Sequence, residues 1–364
     1  MVSNENMQFI NNSFYKNKKV LITGHTGFKG SWLTIWLNIL GADIAGIALD
    51  PKTDRDLFVL SGIGKSVNDY RQDIRNLRKI KEIFHKEKPE IVFHFAAQPL
   101  VLESYKTPVT TYATNVMGTV NILEAIRLAQ SVRSVVMITS DKCYENMELK
   151  RGYKENDPMG GSDPYSSSKG ASELVINAYK NSFFKNKRDC YIASVRAGNV
   201  IGGGDWSKNR IIPDCVRAFE KNKPVFLRNP EAVRPWQHVL EPLGAYLMLA
   251  EAMFDDNKYD EAWNFGPDKN STNSVKNLVK KFIHYYGLGM YNLANKEYPH
   301  ETTFLALDTT KARTKLGWEP VLDFEDTIKY TADWYKNYRD TDVLKLTLDQ
   351  ILKYTKNWKL KKGN

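Results

Sequence analysis

The chain has 364 residues, 26% of them charged and 42% hydrophobic, which leaves room for one large domain or two closely joined ones and excludes a repeat array. Its formal charge of +10 asks for an anionic partner, yet the lysines are spread along the chain, with only a modest excess at Lys353, Lys356, Lys359, Lys361 and Lys362, and no zinc, homeodomain or RNA-binding pattern goes with them. A small phosphate-bearing ligand is therefore expected and nucleic acid is not, with a polyanion partner as the alternative.

Cys143, Cys190 and Cys215 are too few and too scattered for a disulfide framework, and no two have the short spacing of a metal site. No metal is expected, and a reducing, cytoplasmic compartment is. Residues 1–19 contain no apolar core of signal-peptide length, and no run of about 18 apolar residues predicts a membrane span.

In chain order, 19–23 is a short apolar run of buried-strand type. It leads into Gly24-His25-Thr26-Gly27-Phe28-Lys29-Gly30 and then an apolar helix stopped by Gly41. Strand, glycine loop and helix suit a pyrophosphate, because glycines let backbone N–H groups approach it and the helix N-terminus adds a positive dipole. A glycine-rich turn that binds nothing has the same local pattern. The next strand, 43–49, ends at Asp50, whose carboxylate can accept from adenosine ribose hydroxyls and would repel a 2′-phosphate, although Lys52 and Arg55 lie nearby. Asp50 as a turn residue before Pro51 is the alternative.

Asp73-Ile74 precedes a helix marked by Leu77, Ile80, Ile83 and Phe84. A strand at 91–95 then ends in Ala96-Ala97-Gln98, small residues that leave room at a sheet crevice. A long helix at 109–129 carrying Asn115 and Gly118 follows, and then the strand 135–138, ending in Thr139-Ser140-Asp141-Lys142. Strands alternating with helices predict a parallel, doubly wound sheet. After a polar segment, a helix opens on Tyr165 with Lys169 one turn on, so the two side chains share a face.

A strand is expected at 191–195. From about Arg196 the composition shifts to prolines, arginines and aromatics, with a helix at 240–254, a short strand at 262–265 and helices at 274–285 and 309–316. The expected division is 14–195 for the cofactor, 196–338 mainly for a substrate with possible returns to the sheet, and a lysine-rich helical tail at 339–364. The tail is amphipathic, with Leu344, Leu348, Ile351 and Leu352 on one side. Packing on the body or on another subunit is expected ahead of a membrane or partner role. His25 and His94 are expected to be structural.

The glycine loop, Ser140-Asp141-Lys142 and the Tyr165/Lys169 pair together resemble the extended short-chain dehydrogenase/reductases, and within them the nucleotide-sugar 4,6-dehydratases. The stretches 24–32, 139–144, 157–161, 198–206 and Arg234-Pro235-Trp236-Gln237-His238 look most like the branch acting on CDP-glucose, a likeness that covers about 14–335. Enzymes of the family that act on dTDP-glucose carry an acidic pair where this chain has Asp141-Lys142, and its 4-epimerases carry neither pair.

The resemblance implies a Rossmann-type α/β fold and NAD as a bound catalyst that oxidises a sugar at C4 and returns hydride to C6 after water is lost across C5 and C6. Another nucleotide-hexose, or 4-epimerase chemistry, is the alternative. It assigns the cofactor to Gly24, Thr26, Gly27, Phe28, Lys29, Gly30, Asp50, Asp73, Ile74, Ala96, Ala97, Gln98, Asn115, Tyr165 and Lys169. The nucleotide-sugar falls to Asn199, Trp206, Arg210, Arg228, Arg234 and His238, with Arg217 weakest because it can lie on an exposed helix face.

Tyr165 would take the C4 hydroxyl proton, which near pH 7 needs the phenolate favoured by about 4 kcal/mol, a field that Lys169 has the sign to supply. Ser140 would hold the C4 oxygen and Asp141 would protonate the departing C6 hydroxyl. Lys142 would either take the C5 proton or stay charged and stabilise the enolate while another group or water takes that proton; a surface ion pair is the bland reading of Asp141-Lys142. The resemblance also implies a homodimer, possibly a tetramer, built through the 109–129 and 164–184 helices.

Overall fold

The computed structural model describes residues 13–149, 151–185, 189–294 and 305–362, so the expectation for the first dozen residues lies outside it. Strands β1 (Lys19–Thr23), β2 (Asp43–Ala48), β3 (Asn68–Arg71), β4 (Ile91–His94), β5 (Ser134–Ile138), β6 (Tyr191–Arg196) and β7 (Ala262–Asn264) form one sheet in the order β7-β6-β5-β4-β1-β2-β3, every neighbouring pair parallel. Parallel strands need helical crossovers that cover both faces, so the central strands read as continuous apolar runs; β4 is buried at all four of its residues.

One face is covered by α1 (Phe28–Ile39), α6 (Leu240–Met253), α8 (Phe324–Asn337) and α9 (Val343–Lys362), the other by α2 (Leu77–Glu87), α3 (Gly118–Leu128) and α4 (Pro164–Tyr179). Trp32, Trp36, Trp263, Trp318 and Trp334 fill the first core, and Ile80, Ile122, Ile126 and Val135 the second. β7 reaches the sheet from beyond Arg196 by pairing with β6 in the register Ala262↔Ser194 to Asn264↔Arg196. Two further helices, α5 (Ile211–Phe219) and α7 (Val275–Tyr286), pack beside short ribbons outside the sheet.

The expected helix at 109–129 is interrupted. Pro108–Tyr112 and α3 are joined by a wide π-turn over Ala113–Met117, which turns Asn115 inward as a buried side chain. The 309–316 helix is a short turn ending at Gly317 in the left-handed region (φ 69°). The tail packs on the body. Its buried stripe is Val343, Thr347, Ile351, Tyr354 and Trp358, with Tyr354 edge-on to Trp36 at 5.8 Å, while Leu344, Leu348 and Leu352 are only partly covered. No described helix is long and apolar enough to cross a membrane.

Candidate active site

β1 and β4 are adjacent strands whose crossovers run to opposite sides, so their C-terminal ends open the crevice where ligands settle in such sheets. A cleft of about 750 Å³ lies there. Two glycines are sterically required at its floor. A Cβ on Gly24, whose φ is 77°, would stand 2.8 Å from the Ala96 nitrogen, and one on Gly30 would stand 2.1 Å from the Gly24 carbonyl oxygen. With the loop pressed this close, no side chain caps α1 at Gly27, so first-turn amides remain available to a phosphate. Gly24, Thr26, Gly27, Phe28, Lys29 and Gly30 line this part together with Ala96, Ala97 and Gln98.

At one end of the cleft, Asp50 leaves β2 with its carboxylate 86% exposed, 3.8 Å from the Arg71 guanidinium. Asp73 and Ile74 lie beside it, and Arg75 holds the Asp73 carboxyl below its ordinary pKa. An exposed acid at the end of the second strand, next to a helix N-terminus free for phosphate, is the donor and acceptor set a dinucleotide needs.

The middle of the cleft holds Ser140, Asp141, Tyr165 and Lys169. Pro164 opens α4, and Asp163 caps it, its Oδ1 accepting from the Tyr165 and Ser166 amides at 3.0 Å each, so Tyr165 starts the helix and Lys169 follows one turn later. Burial pushes the Tyr165 phenol up to about 12. A hydrogen bond from Ser140 and the charge of Arg210 pull it down, while Asp141 and Asp163 add to the rise. Burial lowers Lys169 to about 8 against the opposing pull of Cys143 and Glu173.

Lys29 lies partly exposed in the cleft, yet its ammonium is walled by protein. That burial, with the charges of Arg210 and Lys169, lowers it to about 7 against Asp141 and Asp205. Asp141 is buried, accepts from Ser140 Oγ at 2.9 Å and lies flat against Gly198, where a Cβ would come within 1.9 Å of its Oδ2.

Asn199, Trp206, Arg210, Arg228 and Arg234 line the other end. Asn199 has a left-handed backbone (φ 51°). Arg210 is held at 2.8 Å by Asp205, and the Arg55 guanidinium stacks 3.7 Å over Trp206. Arg217 instead donates to the Trp206 and Ser207 carbonyls and pairs with Asp214, so it braces this loop from outside the cleft.

Besides Arg217, three of the expected residues are not among those lining the cleft. Asn115 sits behind it, receiving the Gln98 amide at 2.8 Å and donating to the Gln98 carbonyl at 3.1 Å and to Ser168 Oγ at 2.8 Å. Lys142 is half-buried in the 3-10 turn Asp141–Cys143. His238 is fully buried between Trp32 and Tyr330, and its Nδ1 accepts from the Leu240 amide at 3.3 Å. His25 and His94 are both buried, against Asp69 and Thr23 respectively.

Sequence reading missed Glu103, Thr114, Phe226 and Asn229, which also line the cleft. No motif marks them, because they reach it from separate helices and ribbons. For Gly198 the signal was present, as a glycine two residues past the end of β6.

The chain matches the family model described as GDP-mannose 4,6 dehydratase over residues 21–331. It is 46% identical over 352 residues to the CDP-glucose 4,6-dehydratase of Salmonella typhimurium, covering 95% of this chain and 98% of that one. With the dTDP-glucose 4,6-dehydratase of Haemophilus influenzae it shares 26% identity over 344 residues, 87% of this chain and 97% of the other. Two solved structures have the same fold. One is the dTDP-glucose 4,6-dehydratase of Bacillus anthracis in complex with NAD, with a TM-score of 0.74 at 22% identity over 90% of this chain and 99% of that one. The other is the UDP-glucose-4-epimerase of Stenotrophomonas maltophila with bound NAD and formylated UDP-arabinopyranose, with a TM-score of 0.78 at 21% identity over 89% and 99%. Matched along most of its length by both the family model and a relative at 46% identity, the chain belongs to the GDP-mannose 4,6 dehydratase family.

Proposed function

We propose that the protein is an NAD-dependent lyase that converts CDP-glucose to CDP-4-keto-6-deoxyglucose and water. The observation that carries this reading is the 46% identity, end to end, with a CDP-glucose 4,6-dehydratase. The glycine floor, the uncapped α1 and the exposed Asp50 fit a dinucleotide whose nicotinamide would supply the hydride acceptor and donor. Residues 14–195 would hold it, 196–338 would hold the nucleotide-sugar and 339–364 would brace the body.

Tyr165 removes the C4 hydroxyl proton, with Ser140 holding the oxygen. Because burial raises the phenol to about 12, the positive charges facing it must favour the phenolate, and Arg210 stands beside Lys169 in that role. With C4 a ketone, the C5 proton becomes acidic. Asp141, buried next to Ser140, donates a proton to the C6 oxygen as it leaves. Lys142 takes the C5 proton, or stays charged and stabilises the enolate while another group or water takes that proton, and its half-buried position outside the cleft lining requires its side chain to swing inward for either role. Arg228 and Arg234 bind the diphosphate as guanidinium forks.

The partner is a second copy of this chain. Supporting this, Tyr105, Val109 and Met117 on the 101–117 helices and Leu174 and Phe183 on and just after α4 are exposed apolar side chains at 60%, 81%, 52%, 63% and 42%. The burial of Cys143, Cys190 and Cys215, far apart in the chain, fits a cytoplasmic setting.

Incubation with NAD and CDP-glucose should yield a 4-keto sugar, read from its base-labile chromophore. Product from another nucleotide-glucose and none from CDP-glucose would overturn the substrate assignment.

A further inference from the structure

We infer that the buried Glu173–Arg196 pair is a clamp that sets the Ser140–Cys143 turn against the Tyr165 helix, and so governs elimination separately from the oxidation that precedes it. The inference rests on the dehydratase reading above. Tyr165, Lys169 and Glu173 follow one another at four-residue steps on α4, so Glu173 continues the face that carries the proposed base and its lysine.

The Glu173 carboxylate is saturated. Its Oε1 accepts from Thr139 Oγ1 at 2.5 Å and Arg196 Nε at 2.8 Å, and its Oε2 accepts from Ser194 Oγ at 2.7 Å and Arg196 Nη2 at 2.9 Å. The remaining guanidinium nitrogen of Arg196 donates to the Tyr144 hydroxyl at 2.6 Å and the Glu155 carbonyl at 2.9 Å, and the Tyr144 hydroxyl in turn donates to Asn264 Oδ1 at 2.7 Å. Thr139 precedes the turn and Tyr144 follows it. One ion pair, its side chains 3% and 6% exposed, therefore holds both flanks of the four residues that include Ser140, Asp141 and Lys142.

Burying such a pair is costly unless its donors and acceptors are engaged, and here both carboxylate oxygens and all three guanidinium nitrogens make hydrogen bonds. Burial alone would raise the Glu173 carboxyl, but Arg196 outweighs it and holds it below its ordinary value, so the pair is charged. Tyr165 does not depend on this network for its position, because Asp163, Pro164 and Ser104 fix the start of α4. Slackening the Tyr144 side alone leaves the Thr139 bond to Glu173 intact next to Ser140, so it should displace Asp141 and Lys142 while leaving Ser140 and Tyr165 in place.

Tyr144→Phe removes one hydroxyl and keeps the ring, and Thr139→Val is a second variant of matched shape for the other flank. On rapid mixing of NAD-loaded Tyr144→Phe with CDP-glucose, absorbance of reduced nicotinamide should rise at close to the wild-type rate and persist, while product formation slows about 10- to 100-fold, the usual effect of a misplacement near 1 Å. A role confined to general stability would slow both steps together with no such build-up.

Alkylation of thiols supplies a readout that needs no substrate. Cys143 lies in the clamped turn and is buried, as are Cys190 and Cys215 elsewhere. Iodoacetamide should label Cys143 about tenfold faster in either variant with Cys190 and Cys215 still protected. Unchanged Cys143 labelling, or wild-type turnover in both variants, overturns the clamp. Faster Cys143 labelling in a protein that never acts on CDP-glucose supports the clamp and overturns the substrate instead.

Discussion

Tyr165 lines the cleft with its phenol pushed up to about 12, and in the proposed mechanism it makes the first chemical step while Lys142 acts only after it. Tyr165→Phe should give no reduced nicotinamide on addition of substrate. Lys142→Met should give that signal at near wild-type rate yet lose product by at least about 100-fold, the scale of a lost general base. Stopped-flow absorbance with product assay distinguishes the two, and normal turnover in Lys142→Met would remove that lysine from the mechanism. The Tyr165/Lys169 pair was legible in the sequence because a four-residue step on a helix fixes a shared face. Lys142 and His238 were less legible, because being next to a cleft residue in sequence does not set the direction of a side chain. His238 follows Gln237 off a short ribbon into the core between Trp32 and Tyr330.

Among the elements, α9 makes the most consequential attachment. Its Tyr354 hydroxyl donates at 2.9 Å to Glu241, a fully buried carboxylate at the start of α6 that also accepts from the Val321 and Leu322 amides at 2.8 and 2.6 Å. Burial raises the Glu241 carboxyl to about 7 despite these donors. A folded pKa above the unfolded value means that the fold prefers the neutral acid. Its stabilisation is fully present below about pH 4.5 and is lost as pH rises through 7, by about 3 kcal/mol in all. Glu241→Gln should therefore gain stability relative to wild type as pH is raised from 4.5 to 8 in denaturant titrations; a difference independent of pH would count against this account. Periodicity announced α9 and most other helices, since burying one face imposes it. It misjudged which face of α9 is deepest, because Thr347 and Tyr354 are buried through hydrogen bonds to Trp334 and Glu241 that a hydrophobic pattern does not register. It also read the 109–129 helix as uninterrupted, since the π-turn that turns Asn115 toward Gln98 leaves the apolar pattern almost unchanged.

At the scale of the whole molecule, the sheet was readable as parallel and doubly wound because strands and helices alternate, and its order puts the crevice between β1 and β4. The exposed patch of Val109 and Leu174 lies on the helices that cover the face opposite α1. Wild-type protein should sediment at twice the chain mass of 41.8 kDa, and Val109→Glu combined with Leu174→Glu should give monomer with secondary structure unchanged. A wild-type monomer in analytical ultracentrifugation would refute the pairing. The substrate end of the cleft was only partly readable, since Glu103, Phe226 and Asn229 meet there from elements far apart in the chain.

The contact between Asp141 and Gly198 ties two distant positions into one choice. Any side chain at 198 would occupy the space of the Asp141 carboxylate, so a larger residue there requires that carboxylate to move or to be lost. Among related chains the two positions should therefore covary as a pair. A chain with the acid but a bulkier residue at the second position must have moved its carboxylate.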